Sequence, residues 1–391
     1  MKSLYILISI INITKIFAET CSNSAFFQCG GDNWKGQSCC KSGYSCKKYN
    51  QWYSMCMPET NESTTTIKKT TTTTKPSSTP TNKEVSKEEE PVNSKLPSAP
   101  VGYASMNGGT TGGKGGQTII VSNQSELQSA LKVSGTKIIK VKGIIQLSSD
   151  ISINKTSNLS LIGMDNNSGF TGGGFFIKST NNLIIQNLKF SYCLGSSKDC
   201  LGIRRSSNIW VDHCEFYSDL NHGKDYYDGL VDFTYASDYI TVSWCYLHDH
   251  SKVSLVGHSD NNGSEDRGKL HVTYHHNYFR NVISRIPSIR FGTGHIFNNV
   301  YEDIDYTCIN SRMGAQVLVE GNVFRKASHP IVTNYESVED GYVVERNNNF
   351  GNTGNSNSIT RIGSFNTAPY KYTMDSINSV YNNVINNVGP Q

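Results

Sequence analysis

A frame of eight residues recurs seven times between residues 183 and 350. In chain order the copies are LIIQNLKF (183–190), IWVDHCEF (209–216), ITVSWCYL (240–247), VTYHHNYF (272–279), GHIFNNVY (294–301), VLVEGNVF (317–324) and VVERNNNF (343–350). Positions one and three are mostly apolar, position four is usually polar, and position eight is Phe, Tyr or Leu. Such strand-like alternation, repeated every 22 to 32 residues, indicates stacked coils. We predict an all-β domain, a right-handed parallel β-helix.

The sixth position of the frame is mostly an amide or a thiol. It is occupied in turn by Leu188, Cys214, Cys245, Asn277, Asn299, Asn322 and Asn348. Asn tolerates the left-handed conformation of a sharp turn, and stacked amides can hydrogen-bond from coil to coil. We therefore expect position six to carry both the turn and an amide ladder, with the two cysteines as interior residues rather than nucleophiles or ligands.

A helix is predicted ahead of the coils. Ser125 to Gln128 has the pattern of a capping box and leads into the amphipathic stretch SELQSALKV. We expect this helix to close the open end of the β-helix, where unpaired strand edges would be a liability.

The spacing of the coils also locates a site. The steps on either side of the third frame are the longest, at 31 and 32 residues, and extra residues in a solenoid form loops on one side. Asp228 and Asp232 lie in the first long step, Lys252 lies in the second, and Arg285 follows. Neighbouring coils should bring all four onto one face.

These residue types favour a cation-bridged, anionic substrate. Two carboxylates four residues apart suit a hard cation with oxygen ligands, although an isolated pair of this kind is usually a surface turn. The guanidinium forks of Arg285 and Arg290 suit carboxylate or phosphate groups.

Other polar residues of the frames have simpler interpretations. Asp212 and His213 lie on a frame strand and are expected to make structural hydrogen bonds. His275 and His276 would form a poor zinc site, because neighbours on a strand point to opposite faces. Arg312 is either a contact to substrate or a surface charge. Cys193 and Cys200 could bridge one loop, which would leave Cys308 unpaired.

The composition excludes some partners. The chain has 391 residues, a formal charge of +4 and no Lys/Arg-rich run, so a nucleic-acid partner is not expected. Residues 1–18 have the character of a secretory signal, and no later stretch is long enough to span a membrane. We expect a secreted, extracellular protein without a membrane anchor. With no coiled coil or obvious pairing surface, a monomer is expected.

Six cysteines lie between residues 21 and 56, in a segment (19–58) too small to bury a sufficient core. In an oxidising compartment they predict three disulfides. The segment has more aromatic side chains than so small a core can hide, so several should be exposed, as in a platform that stacks on sugar rings. The alternative is a disulfide knot with incidental aromatics, such as a toxin or an inhibitor.

The pattern QCGG…WKG…CCKSGYSC…WYSMC resembles the fungal-type cellulose-binding module, family 1, over nearly all of this segment. The resemblance implies a small antiparallel sheet with a cellulose-facing row, Phe26, Trp52 and Tyr53. It also implies the bridges Cys29–Cys46 and Cys40–Cys56, which leaves Cys21–Cys39. Phe26 stands where Trp or Tyr is usual, so weaker binding is expected.

Residues 59–97 predict a tether. The stretch is rich in Thr, Ser and Pro, has almost no large apolar residues and suits an extended, O-glycosylated linker. N-glycosylation sequons begin at Asn123, Asn154, Asn158, Asn166 and Asn262.

Four ordered motifs then identify residues 98–391. They are WVDH (210–213), DGLVD (228–232), the lysine of HDHSKVSLVGHSD (248–260) and NVISRIPSIRFGTGHIFNN (281–299). Together they resemble polysaccharide lyase family 1, the pectate lyases. The resemblance implies calcium-dependent β-elimination of polygalacturonate, the de-esterified form of pectin.

The resemblance also implies roles for individual residues. Calcium ligands fall on Asp199, Asp228 and Asp232, substrate-carboxylate contacts fall on Lys252 and Arg290, and the proton abstractor falls on Arg285. An arginine base requires alkaline pH, since its ordinary pKa is above about 12. The family often has a further acid two residues before Asp199, where this chain has Ser197, so water or substrate would supply one calcium ligand.

Three other functions are weighed against this one. A pectin lyase would act on methylated substrate without calcium and would lack the acid cluster. A polygalacturonase would need paired carboxylates around a water, and no such motif set is present. A silent wall-binding protein would have lost Lys252, Arg285 or Arg290, and all three are present.

Overall fold

A computed structural model describes residues 21, 28–32, 34–50, 53–58, 96–353 and 357–391. The chain divides between Glu88 and Glu89 into two compact units. The predicted signal segment and residues 59–95 of the predicted linker lie outside the described residues. Among the helices of the described part, none has the length and apolar character needed to cross a membrane.

The first unit contains a small antiparallel sheet held by disulfides. Its strands, in the spatial order β1-β3-β2, are β1 (Gln28–Gly30), β2 (Tyr44–Asn50) and β3 (Tyr53–Pro58). The bridges are Cys21–Cys39, Cys29–Cys46 and Cys40–Cys56, the pairs that the resemblance implies. Of the expected cellulose-facing row, Phe26 and Trp52 lie outside the described residues, and only the backbone of Tyr53 is described.

The second unit is built from short strands. In chain order they are β4 (Gln117–Val121), β5 (Lys137–Val141), β6 (Ile144–Gln146), β7 (Ile151–Asn154), β8 (Ser157–Gly163), β9 (Gly169–Thr171), β10 (Phe175–Lys178), β11 (Asn181–Gln186), β12 (Lys189–Ser191), β13 (Leu201–Arg204), β14 (Ser207–Asp212), β15 (Glu215–Tyr217), β16 (Val231–Thr234), β17 (Asp238–Ser243), β18 (Tyr246–Lys252), β19 (Leu255–Val256), β20 (His271–His275), β21 (Tyr278–Ser284), β22 (Ser288–Arg290), β23 (Thr293–Phe297), β24 (Val300–Ile304), β25 (Ile309–Arg312), β26 (Gln316–Glu320), β27 (Val323–Ala327), β28 (Ile331–Val332) and β29 (Tyr342–Arg346). The helices are α1 (Gln124–Lys132), α2 (Gly263–Asp266) and α3 (Ile377–Asn387), with 3-10 turns at Tyr103–Ser105 and Asp260–Asn262.

These strands form three parallel sheets, to which each full coil contributes one strand apiece. The cleft sheet comprises β7, β10, β13, β16, β19, β22, β25 and β28. The ladder sheet comprises β4, β5, β8, β11, β14, β17, β20, β23, β26 and β29, and the third sheet comprises β6, β9, β12, β15, β18, β21, β24 and β27. Ten strands in the longest sheet correspond to about ten coils. The predicted parallel β-helix is confirmed.

Each repeated frame spans the corner between the ladder sheet and the third sheet. Its eighth residue points into the core, where the aromatic rings stack from coil to coil. The ring centroids of Phe190 and Phe216 are 4.9 Å apart, and those of Tyr301 and Phe324 are 4.6 Å apart. Stacking at the coil spacing explains why an aromatic residue recurs at this position.

The amide ladder at position six is present. The side-chain amide of Asn277 donates to Asn299 Oδ1 at 2.9 Å, Asn299 donates to Asn322 Oδ1 at 3.0 Å, and Asn322 donates to Asn348 Oδ1 at 3.0 Å. Asn277, Asn299 and Asn322 are fully buried and cannot reach water. The ladder therefore supplies the hydrogen bonds that their amides need.

The left-handed turn, however, falls on position five, and its prediction at position six was wrong. Positive φ angles occur at Asn187, His213, Trp244, His276, Asn298, Gly321 and Asn347. The turn must precede the inward-pointing amide, because the amide accepts from the backbone of the previous coil. For example, Asn299 Oδ1 accepts from the Asn277 N–H at 2.9 Å.

The predicted helix exists, but its capping residue differs from our expectation. Asn123, not Ser125, is the N-cap, and its side chain accepts from the Glu126 N–H at 3.0 Å. Glu126 in turn accepts from the Ser122 N–H at 2.8 Å. Leu127 of this helix is fully buried in the main hydrophobic core, so the helix covers the first coil as expected.

The remaining cysteines behave as their positions indicated. Cys193 and Cys200 form a disulfide that closes one loop. Cys214, Cys245 and Cys308 are free thiols, and all three are buried. Cys214 and Cys245 thus take the place of Asn in the interior column, and neither is available as a nucleophile.

Replacing Asn299 by Ala should lower the free energy of unfolding by about 3 kcal/mol, because several buried partners lose a hydrogen bond at once. Chemical denaturation of the full chain would measure the loss. As a matched control, Asn352→Ala removes an exposed amide and should change stability by less than about 0.5 kcal/mol. Equal stabilities of the two variants would contradict a stabilising ladder.

Candidate active site

Two buried carboxylates lie side by side on the cleft sheet. Asp232 is on β16 and pairs in register with Gly202 of β13, while Asp199 ends the loop that leads into β13. Each uses one oxygen as a backbone acceptor: Asp199 Oδ1 accepts from the Gly229 N–H, and Asp232 Oδ1 accepts from the Leu255 N–H, both at 2.9 Å. Backbone donors therefore fix both side chains.

Burial and repulsion from neighbouring carboxylates disfavour the charged forms of Asp199 and Asp232. Burial, with the nearby Asp228 charge adding to it, raises the pKa of Asp199 to about 6. Burial and the Asp199 charge raise the pKa of Asp232 well above its usual range. A cation between the two would relieve both penalties, so the pair has the electrostatic character of a cation site.

Two glycines provide space around the carboxylates. A Cβ at Gly202 would lie 3.0 Å from Asp199 Oδ2, and a Cβ at Gly229 would lie 2.5 Å from Asp232 Oδ1. Within the described part of the chain, Oδ2 of Asp199 and of Asp232 accepts no hydrogen bond. Carboxylate oxygens with room beside them are the donors that a hard cation such as Ca²⁺ prefers.

Asp228 is oriented differently from the other two acids. Its Oδ1 lies 2.8 Å from Lys252 Nζ and 3.9 Å from Arg285 Nη1. Accordingly, among the described residues no three carboxylates or imidazoles have ligand atoms all within 4.8 Å of one another; the only such trio is Cys29, Cys40 and Cys56, whose sulfurs are in disulfides. Asp228 thus connects the acidic pair to the cationic side of the site.

The lysine has a second acidic neighbour that sequence reasoning missed. Lys252 Nζ also lies 3.1 Å from Asp225 Oδ1, on an exposed loop. An isolated bridge between Gly229 and Lys252 places the lysine beside the carboxylate pair. Since Asp225 is three residues before Asp228, one loop supplies both partners of the ammonium group.

A buried histidine, also missed, fixes the backbone of Asp228. His250 Nε2–H donates to the Asp228 carbonyl oxygen at 2.6 Å, and its Nδ1 is hydrogen-bonded by the Ser218 hydroxyl. Burial lowers the pKa of His250 to about 4, so the ring is neutral near pH 7. His250 is two residues before Lys252 on β18, and the alternation of a strand could have indicated that both residues serve this site.

Arg285 projects from a strained position after β21. Its φ angle is +61°, which is uncommon for a residue with a side chain, and its carbonyl oxygen accepts from the Ser254 N–H at 2.7 Å. Its side chain is about one-third exposed, beside Asp228. The structure therefore brings Asp228, Asp232, Lys252 and Arg285 to one face, as the coil spacing predicted.

Arg290 and Arg312 are neighbours in register on β22 and β25. Arg290 Nε lies 2.5 Å from Asp260 Oδ1, and its Nη1 donates to the Gly257 carbonyl at 2.8 Å. Arg312 Nη1 donates to the Glu336 carbonyl at 2.8 Å. These contacts hold both guanidinium groups in defined orientations.

Arg312 is not a surface charge, and that alternative was wrong. Its side chain is 3% exposed, because the next strand and the loop that carries Glu336 cover it. Burial and the nearby Arg290 charge lower the pKa of Arg312 to about 10. This burial argues against direct contact with substrate. It favours a structural role for Arg312 beside Arg290.

The loop before Asp199 is held by an acid from an earlier coil. Asp150 Oδ2 accepts from the Ser197 N–H at 2.8 Å, and Asp150 Oδ1 accepts from the Gly174 N–H at 3.0 Å. Ser197, which stands where the family often has an acid, donates its backbone to this anchor. No local sequence pattern links Asp150 to a loop 47 residues away.

The polar residues of the frames lie on the ladder sheet, and most are structural as expected. Asp212 accepts from Ser243 at 2.6 Å and contacts His213 Nδ1 at 2.7 Å. One expectation was wrong: the rings of His275 and His276 do not point apart, and their Nδ1 atoms are 2.9 Å from each other. The left-handed turn at His276 breaks the alternation of the strand.

Comparison with known proteins agrees with this geometry. The sequence model of the pectate lyase family matches residues 91–391, and that of the fungal cellulose binding domain matches residues 25–53. Pectate lyase A of Emericella nidulans is 46% identical over 288 residues, which cover 74% of this chain and 85% of that protein. Pectate lyase A of Aspergillus niger is 45% identical over 276 residues, covering 71% of this chain and 83% of that protein.

Solved structures show the same fold. A Bacillus sp. N165 pectate lyase in complex with trigalacturonate superposes with a TM-score of 0.68 and 37% identity, covering 74% of this chain and 98% of that chain. Pectate lyase II from Xanthomonas campestris superposes with a TM-score of 0.62 and 27% identity, covering 74% and 98%. This chain belongs to the pectate lyase family and carries a fungal cellulose-binding domain near its amino terminus.

Proposed function

We propose that this lyase cleaves the α-1,4 linkages of polygalacturonate by calcium-dependent β-elimination, releasing 4,5-unsaturated oligogalacturonides at the plant cell wall. The observation that carries the proposal is the contact between the acidic and cationic halves of the site, where Asp228 lies 2.8 Å from Lys252 Nζ beside a buried carboxylate pair. The names of its relatives and the trigalacturonate bound to the Bacillus protein support the substrate class.

Asp199, Asp228 and Asp232 would hold the calcium ion. When bound, the ion would neutralise a substrate carboxylate and thereby acidify the adjacent C5–H. The backbone donors at Gly229 and Leu255 keep the two buried carboxylates oriented. The His250 ring fixes the Asp228 backbone, and the Asp228 carboxylate would turn from Lys252 to the ion.

Arg285 would take the proton from C5 of a galacturonate. The C5–H bond breaks, its electrons form the C4=C5 double bond, and the C4–O bond breaks; the departing oxygen then takes up a proton. A cationic side chain beside the new charge stabilises the enolate-like transition state. The strained backbone and one-third exposure of Arg285 direct its side chain to the cleft.

Lys252 and Arg290 would bind substrate carboxylates. Lys252 is a point charge between Asp225 and Asp228, whereas Arg290 is a fork held by Asp260 and the Gly257 carbonyl.

The acid pair opposes the alternative of a pectin lyase. Methyl esters carry no charge, so a site for them gains nothing from two buried carboxylates that must share a cation. Lys252, Arg285 and Arg290 are all retained, and the first two both contact Asp228. Their presence likewise opposes the alternative of a silent wall-binding protein.

The organisation of the whole chain suits delivery to a surface. We propose a signal peptide at residues 1–18, a cellulose-binding module at 19–58, a linker at 59–97 and a lyase domain at 98–391, acting as a secreted monomer. Binding through Phe26, Trp52 and Tyr53 would raise the concentration of the lyase domain near pectin embedded among cellulose fibres.

With polygalacturonate, wild-type protein should produce ultraviolet absorbance from unsaturated uronate ends in the presence of calcium and none after chelation. Arg285→Ala should lower kcat by at least about 100-fold, because the proton acceptor is gone. Lys326→Ala, which removes a lysine that is 83% exposed, is the control and should be fully active. Reducing ends without absorbance would instead identify a hydrolase.

Asp232→Asn should weaken calcium binding more than about ten-fold, because an amide keeps the shape and the Leu255 contact but loses the charge. Isothermal titration with calcium alone measures this without turnover. Asp303→Asn, at a surface pair with Lys326, should leave the affinity unchanged. Equal affinities for both variants would exclude Asp232 as a ligand.

Trp52→Ala should reduce binding to microcrystalline cellulose about ten-fold and leave activity on soluble polygalacturonate unaltered, since stacking rings supply the affinity. A pull-down assay paired with the absorbance assay separates the two effects. Trp34→Ala removes a tryptophan whose Nε1 donates to the Gln37 carbonyl and should bind nearly as wild type. Undiminished binding by Trp52→Ala would remove that residue from the cellulose-facing row.

A further inference from the structure

Arg204, at the end of β13, is a half-buried arginine on the cleft sheet that forms no salt bridge with a described residue, although its charge partly offsets the rise in the pKa of Asp199. Within the described residues no carboxylate lies within 4 Å of its guanidinium, and no acceptor receives a hydrogen bond from it. The other cleft arginines differ, because Arg290 contacts Asp260 and Arg312 contacts Glu336. A half-buried guanidinium with free donors is costly unless a ligand completes it.

Two aromatic rings fix this guanidinium. Its central carbon lies 4.9 Å from the ring centroid of Phe176 and 5.4 Å from that of Tyr235. Stacking holds the plane of the group while leaving its N–H donors at the edge unoccupied. The side chain is therefore preorganised to form a bidentate contact with a carboxylate.

The position of Arg204 matches that of Arg290 in the solenoid. Both residues end a strand of the cleft sheet, on β13 and β22, which are three strand spacings or about 14 Å apart. Arg204 pairs in register with Thr234, and Gly257 follows β19, so the residues between the two arginines are small.

Tyr235 and His258 lie beside the Arg204 guanidinium. Their rings are stacked with centroids 3.9 Å apart. The Nδ1 atom of His258 is buried and has no hydrogen-bond partner among the described residues. Both residues are partly exposed, so their rings can flank a sugar whose carboxylate binds Arg204.

We propose that Arg204, Tyr235 and His258 form an additional subsite for an unesterified galacturonate residue, in which Arg204 binds the carboxylate. The inference rests on the proposed function, since it assigns a further part of the same polymer. Arg204 is on the strand that Asp199 leads into, and Tyr235 follows the strand of Asp232, so the subsite lies beside the carboxylate pair on the same coils. It extends the contact with polymer and favours unmethylated stretches.

Arg205 provides a matched control. It is the next residue and its guanidinium also lies near Tyr235, at 4.8 Å, but it is exposed and its Nε is 2.7 Å from Glu265 Oε1. Its charge is already paired, so it has no unused fork to offer.

The test compares Arg204→Ala, Arg204→Lys and Arg205→Ala at saturating calcium, using polygalacturonate and hexagalacturonate. Arg204→Ala should raise KM about ten-fold with kcat within about two-fold, and should shift the lengths of the products from hexagalacturonate. Arg204→Lys keeps the charge but loses the planar guanidinium, so its KM should lie between those of wild type and Arg204→Ala. Arg205→Ala should have the KM and products of wild type. A lower kcat with unchanged KM and products would indicate a merely structural role and overturn the subsite.

Binding without turnover separates this inference from the proposed function. In the Arg285→Ala background, adding Arg204→Ala should weaken the Kd for hexagalacturonate about ten-fold by isothermal titration. An unchanged Kd overturns the subsite even if wild-type protein is an active lyase. Conversely, wild-type protein that forms no unsaturated product overturns the proposed function, while a weakened Kd would still identify Arg204 as a carboxylate-binding residue.

Discussion

Parallel pairing of successive coils places each residue about 4.8 Å from its counterpart in the next coil, and the rest of the structure depends on this spacing. Inside the solenoid, the spacing favours identical side chains at equivalent positions of neighbouring coils, because amides can hydrogen-bond and aromatic rings can stack at that distance. Outside, the same alignment would set like charges against one another. On the cleft sheet the same spacing brings acids of neighbouring coils together: the Asp199 charge adds to burial in raising the pKa of Asp232, and the Asp228 charge adds to burial in raising the pKa of Asp199.

The cost of the buried charges is limited by the backbone and by oppositely charged neighbours. Each buried carboxylate has one backbone donor, and Asp228 joins the pair to Lys252 and Arg285. Such a site is stable without substrate yet keeps oxygens and guanidinium edges available. Glycine is required beside the carboxylates, because a side chain at Gly229 would overlap the Asp232 carboxylate. In the function proposed above, a calcium ion would balance the charges of the protein acids and of a substrate carboxylate.

Residues that support the site could not be predicted in the same way as those that line it. Asp150 anchors the Asp199 loop across 47 residues of sequence, and nothing in either segment indicates the partner. Asp225 and Asp260 look like ordinary loop acids until the fold brings each to a cation. The burial of Arg312 is equally invisible in sequence, because it is produced by a neighbouring loop rather than by its own strand. Such contacts depend on how loops fold back, which periodicity does not encode.

Sequence by itself determined the repeating architecture, the three disulfides of the first unit through family resemblance, and the face on which Asp228, Asp232, Lys252 and Arg285 meet. The architecture and the shared face follow from periodicity and spacing, which can be read directly from a sequence, whereas the disulfide pairing follows from the resemblance. Only the tertiary structure decided that the left-handed turn is at position five, that the two adjacent histidine rings meet, and that the Arg204 guanidinium has rings but no described carboxylate within 4 Å. The reason is physical: a backbone torsion, the direction of a side chain after a turn, and the presence of a counter-charge are all set by atoms distant in sequence.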